Sequence, residues 1–310
     1  MARLNIISDS EVKNYYELPR LIKGDRILAF ELDEFDIKYL NSIGSIPKKI
    51  NYILQLGYFK ISEYFFTFTF RSVRKDVRYI VATYFPDEEI PKKDISNNSI
   101  YGNRDIILEK YQVSQYSKPF EAKLAKHLKD IVKHHALPKY LFESALDYCD
   151  KSKIIRPKYS ILQKIISNTC IAEHKRINNK LYKLLDKDLR DKLELLLTKD
   201  SLFFQLTNIK KDQKDFSYSE IRSTITKQEL LLDIYNKSDS ILKELGIAEQ
   251  NINYYSDLAL YYSSYGLKHN IKSKNLVRLY LICYANRRLL KINDHLIYSL
   301  IFKVNKFKRN

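Results

Sequence analysis

Residues 33–80 constrain the fold most, because their apolar side chains recur at helical spacing and are punctuated by a glycine and a proline. Phe35, Tyr39 and Ile43 share one face of a segment running from about Glu34 to Ile43. Gly44 is expected to end it in a left-handed conformation, which glycine adopts without strain. Ser45 is expected to cap the next helix, with Pro47 in its first turn, where a missing N–H costs nothing. Two helices on a turn of two or three residues form the skeleton of a helix-turn-helix DNA reader.

The second helix of the pair divides by face. Ile46, Ile50, Ile53, Leu54 and Gly57 fall on the inward side. Opposite lie Lys48, Tyr52, Gln55 and Phe59, flanked by Lys49 and Asn51. Lysines, amides and a tyrosine near a helix start suit phosphates and base edges, so Lys48, Lys49, Asn51, Tyr52 and Gln55 are candidate DNA contacts. The same pattern also describes an ordinary amphipathic helix with a solvated back. A third helix, from about Ser72 to Phe85, has an apolar face of Val73, Val77, Ile80, Val81 and Tyr84. Arg71, Arg74, Lys75 and Arg78 recur at i, i+3, i+4 and i+7, well away from that face. Such clustering repels itself unless an anion neutralises it, and Asp76 is the only acid close by; phosphate contact is the expectation.

Charge supports a polyanionic partner. The formal net charge is +17 over 310 residues, distributed as +1 in residues 1–100, +8 in 101–200 and +8 in 201–310. An AT-rich genome enriches Lys, Asn, Ile and Tyr by codon usage, yet it should raise Glu with Lys, and acids lag here. No apolar run approaches the ~18 residues of a membrane span. Met1 to Leu4 lacks the apolar core of a secretory signal. Three widely separated cysteines, Cys149, Cys170 and Cys283, fit a reducing cytoplasm.

Elsewhere the chain reads as helix throughout. Ser8-Asp9-Ser10-Glu11 is a capping box, and Pro19 stops that first helix near Leu18. Tyr64 to Phe70 fits a short strand or aromatic core packing, and core is the expectation. Pro86 to Asn98 reads as a linker, followed by helices from about Asn103 to Gln112, Lys118 to His135 and Pro138 to Asp150. His127, His134 and His135 lack a cysteine or carboxylate at ligand spacing, so no metal site is expected. Pro157 marks the start of a long helix with a second basic stripe of Arg176, Lys180, Lys183 and Lys187, diluted by Asp186 and Asp188. A solvated face explains that stripe equally well. Lys158, Arg176 and Lys180 complete the candidate DNA contacts. Gly246 closes a polar helical segment broken around Lys210 to Phe216, and about two long helices are expected after Ser273. "NLVRLYLICYANRRLLKI" is apolar on most sides and should be buried. The expected fold is all-α and multi-helical, with helix-turn-helix-like subdomains. Its segments are 1–90 and 99–200, both DNA-binding, and a helical bundle over 201–310.

Five phrases, in order, resemble the N-terminal portion of Tn-three family replicative transposases: "MARLNIISDSEVKNYYELPRL", "KINYILQLGYFK", "VRKDVRYIVATYFP", "RPKYSILQKIISNTCIAEHKRI" and "LYLICYANRRLLKINDHLI". The similarity spans nearly the whole chain, and the block through about Ile177 resembles that family's N-terminal domain of unknown function. The resemblance implies a helical region that binds the terminal inverted repeats of the transposon, as double-stranded DNA. In the family a later ribonuclease-H-like domain cuts and joins DNA with three carboxylates and magnesium. No position here corresponds to that triad, so the expectation is a truncated transposase with no catalytic residue, cofactor or metal. Two-metal phosphoryl transfer needs carboxylates converging on one site, whereas Asp257 and Asp294 sit in helical, apolar settings. Partners implied besides transposon ends are a second copy or an intact transposase, which such a fragment would inhibit; a remnant without a present role is the bland alternative. The expected setting is the bacterial cytoplasm, at the nucleoid when DNA is bound.

Overall fold

The computed structural model describes residues 4–200 and 203–309. Its architecture is all-α, as expected from the helical periodicity. Contacts group the chain into two units: residues up to Ala125 with Phe142–Ile165, and Lys126–Leu141 with residues from Ile166 on. The expected borders near 90–99 and at 200 fall inside these units.

The first unit holds α1 (Asp9–Tyr16), α2 (Lys23–Ala29), α3 (Glu34–Ser42), α4 (Ile46–Ser62), α5 (Arg74–Tyr84) and α6 (Asn97–Tyr111). The helices α7 (Lys118–Ile131), α8 (Pro138–Lys151) and α9 (Tyr159–Leu184) contribute residues to both units. Ser8 and Glu11 form the expected capping box on α1. Two local details differ at the α3–α4 turn: Ser45 makes no side-chain cap on α4, and Gly246 is the only described glycine with positive φ, so Gly44 is not left-handed. α6 also begins six residues earlier than expected, because Ser96 caps it and draws Asn97 and Asn98 into the helix.

α4 is the axis of this unit. Every residue from Ile50 to Phe59 is buried, not only the inward face read from the sequence. α2, α5 and α6 pack on it, and the irregular Tyr64–Phe70 segment adds buried Phe66 and Phe70. Phe68 stands edge-on to Tyr58, ring centroids 5.4 Å apart. Polar atoms drawn into this core are paired, as burial requires. The Tyr52 hydroxyl donates to Asp36 Oδ1 at 2.7 Å, and Lys110 Nζ donates to Asp36 Oδ2 at 2.7 Å.

Gly57 lets α4 approach the end of α2. A Cβ there would lie 2.4 Å from the Phe30 ring and 3.0 Å from the Ala29 carbonyl oxygen. Phe30 is fully buried and cannot swing aside. Gly57→Ala is therefore expected to destabilise by about 1–3 kcal/mol through overpacking, although alanine is intrinsically the better helix former by ~1 kcal/mol. Urea unfolding checks this, and a midpoint at or above wild type would contradict the packing.

The second unit contains α10 (Lys187–Leu195), α11 (Gln205–Lys210), α12 (Tyr218–Leu245), α13 (Glu249–Tyr261), α14 (Ser264–His269) and α15 (Lys274–Arg309), plus a two-residue pairing of β1 (Lys199–Asp200) with β2 (Phe203–Phe204). Gly246 ends α12 at φ 64°, the left-handed cap its position requires. The two helices expected after Ser273 are one continuous 36-residue helix, since no glycine or proline interrupts it. Leu281 to Ala285 are all buried, where α12 and α13 pack on α15. Asn251 fastens α13: Nδ2 donates to the Val132 and Lys133 carbonyls, and Oδ1 accepts the Ala136 N–H at 2.6 Å. Among the described residues no helix is long and apolar enough to cross a membrane.

Candidate nucleic-acid interface

The expected basic row starts in the turn before α5, with Arg71, and continues on the helix. Arg71, Arg74, Lys75 and Arg78 are all exposed and form no ion pair or side-chain hydrogen bond among the described residues. They line one wall of an open groove of about 780 Å³ in the first unit. The other wall is the turn after α1 and the start of α2, which add Arg20 and Arg26. Six cationic side chains thus face two carboxylates, Glu17 and Asp76.

Asp76 does not neutralise the row. It is buried and turned inward, accepting from Arg26 Nε at 2.7 Å and from the Tyr58 hydroxyl at 2.7 Å. Burial, and then this bond to a carboxylate, pushes the Tyr58 hydroxyl far above the ordinary tyrosine range, so it stays a donor. One acid is consumed by Arg26, and the remaining guanidinium groups of the groove have no ion-pair partner among the described residues. Arginine dominates the groove, and its planar fork suits phosphate oxygens better than a lysine ammonium does.

The α4 candidates behave differently. Asn51, Tyr52 and Gln55 are buried and cannot reach a base edge. Asn51 Oδ1 accepts from Asn103 Nδ2 at 3.1 Å, Gln55 Oε1 accepts from Arg104 Nε at 3.3 Å, and Tyr52 is bonded to Asp36. α6, 50 residues away in sequence, covers the face that α4's pattern left polar. The α3–α4 pair has helix-turn-helix connectivity with no exposed recognition helix beyond its first turn. Lys48 is exposed and Lys49 half-buried on that turn, and neither lines the groove.

Lys158 is exposed in the first unit. In the second unit the other basic stripe is partly spent. Arg176 is bound to Glu173 through two bonds of 2.8 and 2.6 Å and donates to the Leu245 carbonyl at 3.2 Å. That pairing raises its pKa and makes it a helix-end tie. Lys180 remains exposed.

A family model described as a domain of unknown function (DUF4158) matches residues 6–169, more than half of the chain. The chain belongs to the DUF4158 family. The arginine groove, from Glu17 to Arg78, lies wholly inside the matched region, as does Lys158, whereas Arg176 and Lys180 lie beyond it. No curated protein matches the chain significantly. Among the described residues no cluster of three or more His, Cys, Asp or Glu side chains has the geometry to hold a metal ion.

Arg20 and Arg26 are the groove residues that sequence reasoning missed. Neither belongs to a basic stripe, and the Arg26–Asp76 pair joins positions 50 residues apart. The one available signal was the surplus of unpaired arginine on α5, which requires a wall opposite if it is to form a groove rather than a ridge.

Proposed function

We propose that this DUF4158 protein binds double-stranded DNA through the arginine groove of its first unit, and that the duplex is the terminal repeat of a transposon. One observation carries the binding: four uncompensated cations, Arg71 in the turn before α5 and Arg74, Lys75 and Arg78 on the helix, share a groove whose internal acid is already paired. Holding these charges together is unfavourable in isolation, and phosphates relieve it while releasing condensed counterions. The choice of duplex rests on the five ordered phrases that resemble Tn-three transposases. With Asn51, Tyr52 and Gln55 inside the core, base reading falls to the groove arginines, whose bidentate fork pairs with guanine in the major groove.

The test is fluorescence anisotropy on an inverted-repeat duplex and a scrambled one. About four phosphate contacts weaken affinity roughly 10²-fold between 50 and 200 mM salt. Affinity insensitive to salt would overturn the groove as a phosphate site. Equal affinity for both duplexes would leave a DNA binder and remove the transposon end.

A further inference from the structure

The distal half of α15 keeps an apolar row in solvent. Leu290, Ile297 and Val304 are seven residues apart, and Leu300 and Phe307 repeat three residues behind them. These are the a and d positions of a heptad pattern, the seam along which one helix receives another. Ile297 is 56%, Leu300 65% and Phe307 74% exposed. The row is distinct from the face α15 uses inside the unit, where Ile292 and Ser299 are buried. Soluble proteins rarely leave such a stripe uncovered.

α12 extends the surface. It runs antiparallel to α15: Gln213, in the loop that enters α12, donates Nε2–H to Ser299 Oγ at 2.9 Å, and Gln228 on the helix donates Nε2–H to Asn293 Oδ1 at 2.8 Å. Asn293 belongs to the heptad row, and Gln228 lies on the α12 face that carries the exposed Ile225 and Leu232. The two apolar rows therefore adjoin across that hydrogen bond. Phe216 stacked on Phe302 at 4.7 Å, and Lys303 4.0 Å over the Tyr218 ring, hold the distal part of α15 to the same partner helix and its entry loop.

We propose that a second copy of this chain docks here, its α15 antiparallel to the first. The row is self-complementary, since each heptad side chain meets the same row running the other way. At roughly 100 Å² for each of these seven exposed side chains, the two rows bury on the order of 1,400 Å² across a pair, in the lower part of the range for a specific interface. Charge sets the direction. A parallel pair would bring Lys303 of one copy against Lys308 of the other, two cations at flanking positions. The antiparallel pair sets Asp294 against Lys308 along the shared edge instead.

Sedimentation equilibrium on the full chain tests the association, with a dimer expected at micromolar concentration. Ile297→Glu and Leu300→Glu change exposed side chains, so the helical circular dichroism and its melting should persist while dimer affinity falls about 100-fold or more. Orientation is read by cross-linking with a short bis-maleimide. The native cysteines are buried, with burial raising the Cys149 thiol to about 12 and Cys170 to about 11, so introduced thiols react first. Asp294→Cys mixed with Lys308→Cys should cross-link. Asp294→Cys alone should not, its two sulfurs lying ~20 Å apart along antiparallel helices. A monomer at all concentrations, a dimer indifferent to both glutamates, or efficient cross-linking of Asp294→Cys alone would each overturn the proposal.

Discussion

Changing Arg71, Arg74, Lys75 and Arg78 together to alanine is expected to weaken duplex binding by roughly 10²–10³-fold at moderate salt, four charge-assisted contacts at about 1 kcal/mol net each. The slope of log affinity against log salt should fall by about four, one for each lost phosphate contact. Fold and stability should survive. All four side chains are exposed and none is bonded within the described molecule, so their removal relieves repulsion without opening a cavity. Lys48→Ala with Lys49→Ala, outside the groove, should cost far less. Unchanged affinity in a correctly folded quadruple variant would exclude the groove as the binding face.

Asp76→Ala is expected to cost about 3–5 kcal/mol of stability, the range for removing one partner of a buried ion pair. Its carboxylate bonds Arg26 on one side and Tyr58 on the other. Without it the Tyr58 hydroxyl is a buried donor with no acceptor, and the Arg26 guanidinium, only 19% exposed, loses its counter-charge. Urea unfolding of Asp76→Ala, Arg26→Ala and the double variant forms a cycle that isolates their coupling. A loss below about 1 kcal/mol would mean the pair does not organise the groove. The molecules that remain folded should bind DNA at least as tightly as wild type, because the groove has lost a negative charge. Stability and affinity thus move in opposite directions at Asp76, which a purely structural role for the groove does not require.

What was legible in advance divides by the range of the physics. The capping box at Ser8 and Glu11, the stop at Gly246, the start at Pro138 and the cationic row on α5 all depend on neighbours within one or two turns. Each appears where local rules place it. Gly44 shows the limit even of local rules: a glycine permits a left-handed turn without demanding one, and the three-residue turn closes without it. α15 shows another: the two helices expected after Ser273 run on as one, because no glycine or proline stands between them to end the first.

The amino-acid sequence by itself determined that this is a helical, strongly basic chain, and which side chains make up the basic row at α5. Backbone hydrogen bonding, propensity and side-chain periodicity are written in consecutive residues. Only the tertiary structure decided which polar residues are surface. Asn51, Tyr52 and Gln55 stand on a face that reads as solvated until Asn103, Arg104 and Asp36 supply their partners, while Arg20 and Arg26 acquire meaning only once α2 is laid opposite α5. Burial is a property of what packs on a face, and partners from distant segments leave no periodic trace beside the residues they cover.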